Sequence, residues 1–112
     1  MHWIHLTGEE QLQHIVVKSQ EKPQIIFKYS SHCLSSDIVL RKLQEKCCPE
    51  SADFYFLDLL TYRSLSDKVT SLFHVHHESP QVLLISDGEC VYEESHLAIN
   101  AAELLAQAQL VS

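Results

Sequence analysis

Nowhere in the 112 residues do about 18 apolar side chains follow one another, the length a helix needs to cross a bilayer, so no membrane association is expected. Met1 to His5 hold no basic stretch leading into an apolar run, and the cytoplasm is the expected compartment. Basic residues are scarce. Eight Lys and Arg stand against fifteen Asp and Glu, a net charge of -7, with no cluster dense enough to neutralise a row of phosphates, which argues against nucleic acid as a partner. Two glycines, three prolines and the absence of any low-complexity stretch exclude fibrous and disordered classes. Four irregularly spaced cysteines are too few for a secreted disulfide scaffold and default to thiols in a reducing compartment. What is present is a 46% hydrophobic chain, enough for one buried core, and residues 1–112 are expected to form a single domain.

Trp3 to Leu6 reads as a short edge strand, followed by a Thr7-x-x-Glu10 capping box that opens a helix with Leu12, Ile15, Val16 and Ser19 on one face. Gln24 to Ser30 carries Ile25, Ile26 and Phe27 in succession, the pattern of a central strand covered on both faces. From Leu34 to Cys48, Val39, Leu40, Leu43 and Cys47 recur at helical spacing until Pro49 stops the helix. Phe54 to Leu59 is a second buried strand. A helix with Leu65, Val69, Leu72 and Phe73 on its stripe follows, and His74 to Glu78 is its polar exit. Val82 to Ile85 and Cys90 to Glu94 flank Ser86-Asp87-Gly88-Glu89, whose Asp-Gly pair signals a tight hairpin. Asn100 and Glu103 cap a last helix with Ala101, Leu104, Leu105 and Ala108 inward. Parallel crossovers first and an antiparallel pair last make an α/β chain in the order of the thioredoxin fold, with a mixed sheet of four to five strands flanked by four helices.

Chemistry concentrates at Cys33, which follows a central strand and starts the long helix. The unpaired N–H groups of Leu34, Ser35 and Ser36 are directed towards its sulfur and favour the thiolate. Such cysteines have pKa values lowered from about 8.5 to roughly 3.5–7.5 and are nucleophilic at neutral pH. Ser36 stands where a dithiol oxidoreductase has its second cysteine; it can give the sulfur a hydrogen bond but cannot form a disulfide. The second element is Ser79-Pro80 at the start of a strand, where the missing proline N–H is tolerated. In thioredoxin-like proteins that proline is cis and faces the reactive cysteine.

The residues Phe27-Lys28-x-Ser30-x-x-Cys33-x-x-Ser36 and His77-Glu78-Ser79-Pro80-Gln81-Val82 resemble the YtxJ-type bacillithiol system proteins, the monothiol bacilliredoxins. Leu34 stands where that family commonly has proline, and Tyr29 where it commonly has histidine. The resemblance implies a nucleophile at Cys33, a supporting serine at Ser36 and a cis proline at Pro80. It also implies bacillithiol as the low-molecular-weight co-substrate, S-thiolated proteins as clients, and transfer through a mixed disulfide with no bound cofactor. His32, Leu34, Ser35, Ser79, Lys28 and His77 are the candidate substrate-binding residues around that centre.

Each of these residues also has a plainer reading. Cys33 can be a small buried hydrophobe, although its place between His32 and polar neighbours argues against that. Ser36 can be an ordinary first-turn serine, and Lys28 the solvated end of a strand. Cys47 and Cys48 fall about 20 Å along the helix from Cys33, far beyond the roughly 7 Å limit for a disulfide, and Cys90 lies at the opposite end of its hairpin; all three read as structural. His74, His76 and His77 lack the companion ligands of a metal site and read as solvated surface. The aromatic residues Phe27, Phe54, Phe56 and Phe73 read as packing. A monothiol exchange centre leads, with two rivals: a redox-inert interaction module using the groove beside Pro80, and a thiol sensor in which modified Cys33 is itself the signal.

Overall fold

Residues 2–46 and 51–111 are described by a computed structural model, and form β1 (Ile4–His5), α1 (Glu9–Lys18), β2 (Gln24–Tyr29), α2 (Leu34–Glu45), β3 (Asp53–Asp58), α3 (Arg63–Phe73), β4 (Gln81–Ser86), β5 (Glu89–Ser95), a 3-10 turn (His96–Ala98) and α4 (Ala101–Leu110). The five strands lie in the order β1-β3-β2-β4-β5. β1, β3 and β2 are parallel, and β4 joins β2 antiparallel and continues into the β4–β5 hairpin. This is the α/β arrangement expected from the element order.

The period-2 alternation of strand side chains divides the core into two layers. Ile25, Phe27, Phe54, Val82 and Leu84 face α2 and α4, where they pack with Val39, Leu43, Leu104 and Ala108. Ile26, Tyr55, Leu57, Leu83 and Ile85 face α1 and α3, against Leu12, Ile15, Leu65, Val69 and Phe73. Both faces of β2 and β4 are therefore covered, which is why those segments read as unbroken apolar runs. Trp3 seals one end of the first layer, with its ring 5.7 Å from Phe27, 6.1 Å from Phe54 and 5.8 Å from Phe56.

Several details depart from the sequence reading. The α1 cap is shifted by one residue. Gly8 is the N-cap, and the Gln11 side-chain oxygen accepts from the N–H groups of Thr7 (2.7 Å) and Gly8 (3.1 Å), so Glu10 is not the capping acid. A glycine can take the extended N-cap conformation, and Gln11 rather than Glu10 is then the third helical residue. Leu72 is exposed because it falls on the edge of an α3 stripe centred on Val69. α2 is described as far as Glu45, and the readings of Cys47, Cys48 and Pro49 lie outside the described residues. The hairpin turn is as expected: Asp87 (φ 55°) and Gly88 (φ 79°) are both left-handed, as a two-residue hairpin turn requires. Its N–H groups donate to Ser19 at the end of α1, Asp87 to the carbonyl (3.0 Å) and Gly88 to Oγ (2.8 Å). Asn100 caps α4 by accepting from Glu103 N–H at 3.0 Å.

Asp53 anchors the start of β3, with Lys18 at 2.9 Å, Lys22 at 3.1 Å and the Gln24 amide at 2.8 Å. Burial pushes its pKa up, but these three donors outweigh burial and bring it down to about 2. The carboxylate's contribution is complete above the unfolded value near 4 and is lost as pH falls through the folded one. After allowance for screening at the half-exposed lysines, Asp53→Asn should remove about 1–2 kcal/mol at neutral pH. Urea unfolding should show that difference shrinking between about pH 4 and pH 2, and a constant difference would count against the network.

Candidate active site

β2 ends at Tyr29, and the chain turns through Ser30, Ser31 and His32 to Cys33, which is the N-cap of α2. Two bonds close the turn. Cys33 N–H donates to the Ser30 carbonyl (3.1 Å), and Ser36 N–H donates to the Cys33 carbonyl (3.0 Å). Ser36 is fully buried, and its Oγ accepts from Ser30 N–H at 3.2 Å, tying the first turn of α2 to the end of β2. Ser30 Oγ accepts from His32 N–H at 3.3 Å. The Tyr29 hydroxyl donates to Asp37 at 2.5 Å, a second tie between strand and helix.

The Cys33 sulfur is half-buried and lies 3.8 Å from the Ser79 carbonyl oxygen. Burial pushes its pKa up, but the N–H groups of Ser36 and Ser35 and both of their hydroxyls outweigh burial and leave the thiol below its ordinary value. A buried Ser36 can serve both sides because its oxygen accepts from Ser30 while its proton is turned to the sulfur. The Ser79-Pro80 bond is cis. Pro80 is buried just before β4, rather than within it, and its carbonyl accepts from His96 N–H at 2.9 Å. Cys33, Ser35, Ser36, Ser79 and Pro80 are thus gathered at one pole of the sheet. Leu34 beside them is 75% exposed and His32 is exposed.

Lys28 is not the solvated end of a strand. It is 0% exposed, in register with Leu57 on β3 and Gln81 on β4, and its side chain lies under α3. Nζ donates to the Ser66 carbonyl (3.3 Å) and Thr70 Oγ1 (2.9 Å), and lies 3.5 Å from His77 Nδ1. Burial lowers its pKa to about 8, with Asp67 opposing weakly. The sequence signal was a lone lysine among Ile26, Phe27 and the buried face of β2; polar partners 38 to 49 residues away could not be read from it. Cys90 pairs with Ile85 at the far end of the hairpin, and burial pushes its thiol to about 11. Among the described residues no group of His, Cys, Asp or Glu is placed to hold a metal ion, and no helix is long and apolar enough to cross a membrane.

Comparison with known proteins agrees with this geometry. Residues 4–104 match the family model described as monothiol bacilliredoxin BrxC. The chain belongs to the monothiol bacilliredoxin family. Among solved structures it is similar to a protein assigned as an oxidoreductase with a thioredoxin fold, at 29% identity and a TM-score of 0.80, over 95% of this chain and 92% of that one. It also superposes on a mutant thioredoxin from Halobacterium salinarum (20% identity, TM-score 0.68, 96% and 88% covered) and on Fasciola hepatica thioredoxin (14%, 0.72, 96% and 98%). The last two show the fold alone. Family and fold together support a thiol oxidoreductase role for this bacilliredoxin relative.

Proposed function

We propose that this protein removes a low-molecular-weight thiol, bacillithiol by family resemblance, from S-thiolated protein cysteines by monothiol exchange at Cys33. The observation that carries the reading is a half-buried thiol at a helix N-cap, surrounded by Ser35 and Ser36 donors and with no second thiol one turn away. The Cys33 thiolate attacks the low-molecular-weight sulfur of a client's mixed disulfide. A new bond forms between Cys33 Sγ and that sulfur, the bond to the client breaks, and the client cysteine leaves as a thiolate that takes a proton from solvent. A second low-molecular-weight thiolate then attacks the sulfur held on Cys33, releasing a symmetric disulfide and the Cys33 thiolate. Over the two steps one mixed disulfide and one free low-molecular-weight thiol become the client thiol and one symmetric disulfide, so the client sulfur is reduced at the expense of a single free thiol and no other oxidant or reductant is needed. Ser36 cannot replace the outside thiol because it forms no disulfide. Clients meet the exposed Leu34 and Ile38 on the rim of α2.

Intact mass is the direct test. Reduced protein exposed to the disulfides of bacillithiol, glutathione and coenzyme A should gain one adduct per chain, fastest with bacillithiol, and lose it on addition of free thiol. Resistance to all three would leave the redox-inert interaction module as the better reading.

A further inference from the structure

The loop between α3 and β4 runs through His76, His77 and Glu78 to Ser79 at the Cys33 pole, and two buried side chains of the sheet hold it. Gln81 Nε2 donates to the His76 carbonyl at 3.0 Å and to Glu93 Oε2 at 3.2 Å. On the strand beside it, Lys28 has three donors and three partners: the Ser66 carbonyl, Thr70 Oγ1 and His77 Nδ1. An ammonium has no acceptor, so Nδ1 of His77 must be the accepting nitrogen. The imidazole is therefore the neutral tautomer with its proton on Nε2. His77 is exposed, and it lies two residues from Ser79, whose carbonyl is 3.8 Å from the Cys33 sulfur. Two residues span at most about 7 Å.

Resting on the exchange reading above, we propose that His77 is a specificity-determining donor whose Nε2–H receives a carboxylate of the low-molecular-weight thiol, and that buried Lys28 is the positioning residue that fixes this tautomer. The Lys28 charge behind the imidazole is what fits an anionic ligand. Lys28 has no carboxylate within ion-pair distance among the described residues, and Glu78 is engaged by His96 at 3.2 Å. The carboxylates of Asp67 and Glu78 act on His77 in one direction, and Arg63 of α3 acts with Lys28 in the other. Burial and then the Lys28 charge keep His77 below its ordinary pKa, so it presents a neutral donor at physiological pH.

The probes are dithiodipropionate, which carries carboxylates, and its uncharged diamide, with Cys33 adduct formation followed by intact mass. Loss of one hydrogen bond to a charged group corresponds to about tenfold. His77→Leu should therefore slow reaction with dithiodipropionate about tenfold and leave the diamide within about twofold, and His77→Gln, which keeps an N–H donor, should restore most of the rate. In Lys28→Met, NMR titration should show the His77 pKa risen towards the ordinary histidine value. Equal slowing with both probes, or an unmoved His77 titration in folded Lys28→Met, overturns the proposal. If Lys28→Met does not fold, the two variants at exposed His77 decide alone. Wild-type protein that takes up neither disulfide overturns the exchange reading itself, and the recognition role with it.

Discussion

Cys33→Ser should form no low-molecular-weight thiol adduct and should lose the fast phase of iodoacetamide labelling, while Cys90→Ser should keep both. The reason is thiolate supply. A thiol at about pKa 11, as burial makes Cys90, is ionised to roughly one part in ten thousand at pH 7, whereas a thiol at the ordinary value of 9.0 is about 1% ionised. Cys33 lies below its ordinary value, so the ratio of thiolates exceeds about 100. The more basic Cys90 thiolate is intrinsically more nucleophilic by about tenfold, which leaves Cys33 ahead by about tenfold before access is considered. Access widens the gap, since the Cys90 sulfur sits 3.3 Å from the Tyr92 carbonyl within the hairpin. Site-resolved mass spectrometry of briefly labelled protein at about pH 7 reads the ratio. Comparable rates at the two sites would mean that the helix start does not activate Cys33.

Lys28→Met should make the protein more stable at neutral pH, by about 1–3 kcal/mol, because an ammonium buried without a counter-ion costs more than its hydrogen bonds return. The sign follows from proton uptake. The folded pKa, about 8, lies below the unfolded value of 10.5, so between these limits the unfolded chain binds the extra proton and wild-type stability rises with pH. About 3 kcal/mol is regained across that interval, at 1.36 kcal/mol per unit. Raised tyrosine pKa values at Tyr29 and Tyr55 act in the opposite direction but are common to both proteins. The difference between Lys28→Met and wild type in urea should therefore be largest near pH 7 and shrink towards pH 10. A destabilised variant with a pH-independent difference would make Lys28 a net stabilising element. The expected exchange of stability for a fixed His77 is the pattern of a residue retained for its site rather than for the fold.

The fold and the place of the candidate nucleophile were legible in the sequence because each rests on local pattern. Continuous apolar runs marked β2 and β4, Asp87-Gly88 marked the hairpin, and the position of Cys33 between a strand and a helix marked the candidate site. Boundaries slipped where one cap competed with its neighbour, as Gly8 with Thr7, or where a stripe had an edge, as at Leu72. Lys28 was hidden for a different reason. Its environment is assembled from α3 and the loop before Pro80, and no spacing within β2 distinguishes a lysine that leaves the sheet from one that stays beneath it. Ser36 was ambiguous until its burial and its bond from Ser30 were seen. The pair Tyr29–Asp37 was missed, since a contact eight residues apart across a strand–helix turn matches neither period.

The aromatic cluster at the first strand also decides what can be learned by optical methods. Trp3 is the only tryptophan of the chain, and it sits beside a two-residue edge strand, packed on Phe27, Phe54 and Phe56. Its emission therefore reports the docking of the N-terminal segment onto β3 through the shortest ladder among the described strands. A melting curve taken from that indole and one taken from backbone circular dichroism describe different events, and only their coincidence would establish that the edge strand and the central sheet come apart together.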